Sequence, residues 1–562
     1  MKNLVKQASD ELRQLLMEAL ARAVAKELLP AEALPDFTIE IPADASHGDL
    51  ATNLALISAR PFHMPPRKIA EIIGQNLDLA GSSFTTYEIA GPGFLNFCLG
   101  ANWFSDVLLA IQTEQSDYGS SDYGNGKKWM VEFVSANPTG PMHIGNARGG
   151  AIGDCLAEIL NRTGYRVDRE FYVNDAGNQI EKFATSLNIR YLQYFLKDEA
   201  PPMPEDAYQG QDIADHAAAF AQLYGDRYLN CEESVRKQAL VDYALPKNID
   251  GLKRDLEKYR IVYDNWFFES TLYREHLVET VVERLKEKGL TYEKEGAVWY
   301  ASTQFGCEKD DVLIRANGVP TYFAADIAYH YHKFAIRGYE RVINVWGADH
   351  HGHVARLKGA MNALGIDGNR LDVVLMQMVR LIRDGKPVKV SKRSGKSITL
   401  VSLLDEIPID AARFFFNLRE ANSHFDFDLD LAVEESSKNP VYYVQYAHAR
   451  ICSILRNLAE EGLTPNPAAE TAVLTSPEER ELIRFLATLP NELLEAARQY
   501  DPARITRYSL DLAALFHKFY NSCHVKGSEL PLLEARLKLV DSVRIVLENV
   551  LSILKITAPE TM

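Results

Sequence analysis

Trp129-Met130-Val131-Glu132-Phe133-Val134, followed by Ser135-Ala136-Asn137-Pro138-Thr139-Gly140-Pro141 and then Met142-His143-Ile144-Gly145-Asn146-Ala147-Arg148-Gly149-Gly150, is the stretch on which the fold turns. The first run is apolar and β-branched enough for a buried strand. The second is a loop punctuated by proline and glycine. The third opens a helix that runs through Ile152, Leu156, Ile159 and Leu160 to Gly164, at helical spacing. A further strand over 167–173 completes a βαβ unit, which is right-handed and builds a parallel sheet. Its ligand site belongs at the carboxyl ends of the strands.

Within this unit His143 and Asn146 stand three apart and share the first turn of the helix. A helix N-terminus presents unpaired N–H groups and positive partial charge to phosphates. Gly145, Gly149 and Gly150 leave space where a nucleotide approaches the backbone. A glycine-rich helix packed tightly on a sheet, with His143 as its cap, accounts for the same residues equally well. Lys389-Val390-Ser391-Lys392-Arg393 lies much later, behind an apolar run and the turn Asp384-Gly385. A basic loop beside ATP stabilises charge developing on the α-phosphate and pyrophosphate; the alternative is a solvated basic turn.

Polar residues isolated in apolar runs mark a second candidate region. Glu132 interrupts a buried strand, where an unpaired carboxylate is costly. Asn137 lies in the loop beyond it. Tyr322 and Asp326, four apart, share a helical face. Singly, each reads as a hydrogen-bonded structural residue.

The 562 residues imply three or four domains at about 150 residues each. A hydrophobic share of 47% and a charged share of 25% are ordinary for a globular protein. No apolar run reaches the roughly 18–20 residues of a membrane span, and the beginning Met1-Lys2-Asn3-Leu4-Val5-Lys6 lacks a secretory pattern; a cytoplasmic protein is expected. The six cysteines form no CxxC pair, so neither disulfides nor protein-bound zinc are expected. The spacing in His350-His351-Gly352-His353 does not fit a zinc site either. A net charge of −16 argues against indiscriminate nucleic-acid binding and leaves open RNA recognition by local aromatic and basic patches.

The expected class is α/β. Residues 1–112 read as a small α/β domain, with Leu12, Leu15, Leu16, Leu20 and Val24 on one helical face and two strand-like runs around Gly91-Pro92-Gly93. A polar linker over 116–128 follows. Residues 113–430 read as a Rossmann-type parallel-sheet domain interrupted by a helical insertion at about 190–290. The sheet pattern is expected to resume near 312–314 and to continue at 342–347 and 371–381. Residues 431–562 read as an all-helical bundle.

Together, Met142 to Asn146 and Lys389 to Arg393 resemble the two ATP signatures of class I aminoacyl-tRNA synthetases, with Asn146 where the family has a second His, and with Val390 and Arg393 as further departures. Glu132, Asn137 and His143 with Tyr322 and Asp326, together with Val173-Asn174-Asp175-Ala176-Gly177-Asn178-Gln179 and Gly347-Ala348-Asp349-His350-His351-Gly352, resemble the arginyl-tRNA synthetases. The resemblance implies catalytic roles for His143, Asn146, Lys389 and Lys392. It implies ATP contacts from His143, Gly145, Asn146, Gly149, Asp349, His350, Ser391 and Lys392. It also implies that Glu132 and Asp326 hold a guanidinium, with Tyr322 beside it and Asn137 at the α-amino end. His47-Gly48-Asp49-Leu50-Ala51-Thr52-Asn53 and Gly91 to Phe97 resemble the family's extra domain, which touches the tRNA elbow; Phe94 is then expected to stack on a base and Asn96 to read its edge. Asn439 to Arg450 and the ending at Met562 resemble the anticodon-binding region, with Tyr442, Tyr446 and Met562 near the anticodon. The implied substrates are L-arginine, ATP carrying Mg²⁺, and tRNA(Arg), with arginine activation requiring the tRNA and a monomeric enzyme without membrane association.

Overall fold

The computed structural model describes residues 3–33, 36–42, 44–388 and 398–562. Lys389, Ser391 and Lys392 lie outside the described residues. The chain opens with α1 (Leu4–Ala25), capped by the Asn3 side chain, which accepts from the Lys6 N–H. Its buried stripe contains the expected Leu12, Leu16 and Leu20, while Leu15 and Val24 pack on its margin. Then come β1 (Ile39–Glu40), β2 (Leu50–Thr52), α2 (Leu54–Ser58), α3 (Pro66–Gln75), β3 (Phe84–Ala90), β4 (Phe94–Leu99) and α4 (Ala101–Glu114). The strands form one antiparallel sheet in the order β1-β2-β4-β3. Its β3–β4 turn needs glycine at Gly93, where φ is +140° and an added Cβ would lie 2.9 Å from the Pro66 backbone.

The central sheet begins with β5 (Lys128–Glu132), α5 (Ile144–Arg162) and β6 (Arg166–Val173), the strands pairing in parallel from Lys128↔Arg166 to Glu132↔Glu170. Three helices follow: α6 (Asn178–Leu196), α7 (Gln211–Tyr224) and α8 (Glu233–Lys258). The chain then returns to the sheet as β7 (Asn265–Phe268), parallel to β6, so the segment expected to interrupt the sheet as a mainly helical insertion also supplies an edge strand. Next come α9 (Ser270–Arg274), α10 (Leu277–Glu287), β8 (Thr291–Lys294), β9 (Ala297–Tyr300) and β10 (Asp311–Ile314). Residues 312–314 therefore do not resume the parallel sheet: β10 pairs antiparallel with β9 in a separate three-stranded sheet. After α11 (Tyr322–Tyr331) and a π-helical turn over His332–Ile336, β11 (Arg341–Gly347), α12 (His351–Ala363) and β12 (Leu371–Met376) complete the central sheet.

The central order is β12-β11-β5-β6-β7, all parallel. The connection reverses direction between β5 and β11, and ligands bind outside the carboxyl ends at such a switch point. The stretch 371–381 does not form one strand. It breaks after β12, and β13 (Val379–Arg383) joins β14 (Lys386–Pro387) and β15 (Phe425–Asp428) in a small sheet.

Helices α13 (Leu400–Glu406), α14 (Ile409–Phe416) and α15 (Leu429–Val433) lead into α16 (Pro440–Ala459), α17 (Pro477–Ala487), α18 (Leu489–Gln499), α19 (Ala503–Ser522) and α20 (Leu530–Ile553). The amino-terminal unit rests on these last helices: Asp49 pairs with Arg484 at 2.5 Å, Thr471 donates to Ser105 at 2.8 Å, and the Tyr118 hydroxyl donates to the Leu486 carbonyl at 3.1 Å. One apolar core runs from the amino-terminal unit through α5 into the helical end, and a second packs α10, α11 and α12 on the opposite side of the sheet. Among the described residues no helix is long and apolar enough to cross a membrane.

Two glycines of α5 serve this packing. A Cβ at Gly150 would stand 2.8 Å from Ile261, and one at Gly153 only 2.2 Å from the Phe133 ring. Gly153→Ala is expected to destabilise the protein by about 1–3 kcal/mol through overpacking. An unchanged thermal midpoint would show that the helix can retreat from the sheet.

Candidate active site

A cavity of about 630 Å³ opens at the carboxyl end of β5. Asn137, His143, Asn146 and His350, four of the residues expected at an ATP or amino-acid site, line it together. His143 is the N-cap of α5, and its Nδ1 accepts from the Gly145 N–H at 3.2 Å. That bond leaves the ring proton on Nε2, the donor form. The Asn146 Oδ1 accepts from the His143 N–H at 3.2 Å, closing a reciprocal capping box. Position 146 thus supplies an acceptor, which asparagine provides without charge.

The far end of the lysine-loop segment is fastened to this cap. The Leu400 N–H donates to the Met142 carbonyl at 2.8 Å, the Ile144 N–H to Ile398 at 3.3 Å, and His143 bridges to Thr399. The loop residues themselves are not described, but the backbone following them is anchored beside His143.

The helices after β6 also reach this cavity. Tyr208 and Asp212 line it, and burial raises the Asp212 carboxyl above its ordinary range. The Tyr208 hydroxyl donates to Gln179 Oε1. The neighbouring Asn178 lines a second cavity, of about 310 Å³, together with Glu269, Tyr273, Arg315 and Tyr322. The start of α6 thus borders the second space and is bonded to a residue that lines the first.

Glu269 follows β7 directly and is 2% exposed. The Tyr273 hydroxyl donates to its Oε1 at 3.2 Å. Burial pushes its carboxyl up to about 7, with the nearby Asp326 and Asp175 charges adding to the effect and hydrogen bonds from Tyr172 and Tyr273 opposing it. Asp326, one turn along α11 from Tyr322, accepts from the His353 ring Nε2 at 2.8 Å. Tyr322 and Glu269 thus line one small space, and the Asp326 carboxylate stands close enough to act on Glu269. Glu269 was not singled out from the sequence, although it stands at the end of the apolar run Asn265 to Phe268 just as Glu132 ends its own strand.

Four expectations are corrected. Glu132 does not stand open as a guanidinium ligand: it is 6% exposed, its Oε2 pairs with Lys333 at 2.5 Å, and its Oε1 accepts from Ser135 at 2.9 Å. Gly149 does not face a nucleotide space, because it is buried with the Met376 side chain 3.5 Å from where its Cβ would be. Asn96 is 6% exposed between Ala51 and Glu88 in the sheet, so its amide is not presented at the surface as a base reader would be. Asp349 is exposed and does not line the cavity, whereas its neighbour His350 does.

The remaining nucleic-acid candidates line neither cavity. Phe94 is half-buried at the start of β4. On α16, Tyr442 is half-buried and Tyr446 is 42% exposed, its ring 6.1 Å from that of His517. Met562 is 53% exposed at the end of a segment fastened to α16 by Gln445 donating to the Thr557 carbonyl and His448 bonding the Pro559 carbonyl, both at 2.9 Å. Among the described residues no group of His, Cys, Asp and Glu is arranged to hold a metal ion; His353 is engaged by Asp326.

Comparison with known proteins agrees over the whole length. The family described as "tRNA synthetases class I (R), catalytic domain" matches residues 108–451, "Arginyl tRNA synthetase N terminal domain" matches 10–99, and "DALR anticodon binding domain" matches 444–562. The chain is 54% identical to the arginine–tRNA ligase of Caldanaerobacter subterraneus subsp. tengcongensis and 51% identical to that of Acetivibrio thermocellus, covering 100% of both chains in each case. Its fold is also that of Thermus thermophilus arginyl-tRNA synthetase, with a TM-score of 0.74, 23% identity, and coverage of 98% of this chain and 100% of that one. On these matches, and with a capped helix N-terminus beside a cavity at the carboxyl end of β5, the chain belongs to the arginyl-tRNA synthetase family of class I.

Proposed function

We propose that the chain activates L-arginine with ATP and transfers it to the 3′-terminal adenosine of tRNA(Arg). The arginine carboxylate attacks the α-phosphorus, pyrophosphate leaves, and the 2′-hydroxyl of the adenosine then displaces AMP from arginyl-adenylate. The observation that carries this reading is a cavity at the α5 cap together with a second pocket that bears Glu269, with the Asp326 charge acting on it. In the first, the positive end of the α5 dipole and the His143 ring face the phosphates. Mg²⁺ enters on those phosphates as part of the substrate. Lys389, Ser391 and Lys392 are assigned to the same phosphates from their sequence motif. In the second pocket, a planar guanidinium with five donors matches two carboxylates, whereas a lysine ammonium leaves acceptors unpaired. Asn137 orients the α-amino end, and no covalent enzyme intermediate is needed.

The unit up to about residue 112 and the helical end from about 431 are assigned to the tRNA, with Phe94 offering a stacking face at the elbow and Tyr442, Tyr446 and Met562 near the anticodon. A cytoplasmic monomer whose arginine activation depends on bound tRNA completes the proposal. ATP–pyrophosphate exchange with each amino acid, with and without tRNA, tests it: exchange is expected with arginine alone and only in the presence of tRNA. Exchange with another amino acid would discard the pocket, and exchange without tRNA would discard the dependence.

Asp326→Asn is expected to raise the arginine KM at least about tenfold, because a charged hydrogen bond to the guanidinium becomes a neutral one. An unchanged KM in steady-state charging would remove Asp326 from the pocket.

A further inference from the structure

Lys333 is fully buried in the π-helical turn that follows α11. Fully buried lysines occur almost only when paired, and π-turns inside helices cluster at functional sites. Its Nζ lies 2.5 Å from Glu132 Oε2 and 3.3 Å from Asn344 Oδ1, above the Tyr329 ring at 4.0 Å. Glu132 Oε1 accepts from the Ser135 hydroxyl at 2.9 Å, and the same hydroxyl oxygen accepts from the Tyr172 N–H at 3.1 Å. What these bonds hold is a strained turn: φ is +68° at Val134 and +42° at Ser135. A β-branched residue at positive φ is an outlier, and each such residue costs about 1–3 kcal/mol. Both residues line the larger cavity, three and two positions before Asn137.

We propose that Lys333 is a positioning residue for arginine: through Glu132 and Ser135 it latches the strained turn, and the turn sets the direction in which Asn137 enters the cavity. The proposal rests on the reading of Asn137 as a contact of the arginine amino end. It gives Glu132 a task that its burial permits. It also separates arginine from ATP, because His143 and Asn146 are held by their own capping box and not by the latch.

The decisive variant is Lys333→Met with Glu132→Gln, which leaves no unpaired charge buried. In full-length enzyme the arginine KM is expected to rise at least about tenfold while the ATP KM stays within about twofold. Adding Val134→Gly, which makes positive φ unstrained at that position, is expected to restore most of the loss. A wild-type arginine KM in the double variant overturns the latch. So does an equal rise in both KM values that Val134→Gly leaves untouched, since a general structural role predicts that pattern. If the double variant does not fold, Ser135→Ala decides: it removes both hydroxyl bonds without burying charge, and a wild-type arginine KM there overturns the proposal. Asn137→Ala is measured alongside. If it leaves the arginine KM unchanged, Asn137 leaves the pocket and the proposal falls with it. If it raises that KM while the latch variants do not, the latch alone is overturned.

Discussion

Glu269→Gln is expected to lower kcat/KM for arginine about 100-fold, a loss of roughly 3 kcal/mol, carried mostly by KM, with the ATP KM little changed. The variant keeps the size and one acceptor of the side chain and removes only the charge facing the guanidinium. The pH dependence gives an independent check. Burial holds the Glu269 carboxyl at about 7, far above the ordinary 4.5, so arginine must bind against partial protonation. Arginine affinity is expected to fall as pH drops through about 7, by up to about tenfold per pH unit below it, and this dependence should vanish in Glu269→Gln. The stability linkage has the opposite sense. Because the folded pKa lies above the unfolded one, the protonated group's contribution is complete below about 4.5 and is lost as pH rises through about 7. Saturating arginine should oppose that loss. Arginine KM profiles on both sides of neutrality, for wild type and variant, check the assignment; parallel profiles would exclude Glu269 as the titrating partner.

Arg413→Met is expected to cost about 3–5 kcal/mol of stability. The guanidinium is fully buried: Nε donates to the Leu554 carbonyl at 2.8 Å, Nη1 to Tyr259 at 2.9 Å and Nη2 to Asp154 Oδ2 at 2.6 Å. Asp154 keeps a second partner in Arg169 at 2.9 Å, so part of the loss is the desolvated carbonyls of Tyr259 and Leu554, at about 1–3 kcal/mol each. The effect should be regional. Leu554 ends the helix α20, and the following Lys555 and Thr557 are tied to Arg260 and Asp410. Amide exchange is expected to accelerate over 554–560 before it does in α5. A denaturation midpoint equal to wild type would deny Arg413 its role as the joint between the catalytic sheet and the last helix.

The β5–α5–β6 unit was legible because it is local: strand, loop and helix follow one another and carry their own turn and capping chemistry. The helical end was legible from periodicity and the lack of turn signals. β7 was not, because a four-residue apolar run between helices has no length to set it apart, and Glu269 went unread with it. Tyr208 and Asp212 reach the cavity only through the packing of α6 and α7. The glycines of α5 fit a nucleotide or a neighbouring strand equally well in sequence, and Gly150 and Gly153 are spent on the sheet and the chain packed beside it. Lys333 was the least readable. Nothing local marks a lysine for burial, and its partner lies 201 residues earlier.

The contacts of the amino-terminal unit with the last helices bear on how the chain is made. Asp49 meets Arg484 across 435 positions, and Asn3 meets Asn491 across 488. At about 5–20 residues per second of synthesis, the first unit waits roughly 20–90 s for the surface that covers it. During that interval Val5, Leu99 and Trp103, which end up facing Phe485 and Leu515, are exposed on the nascent chain. A ribosome stalled in the catalytic region therefore leaves an adhesive patch at the leading end of its product until α17 and α19 have been translated.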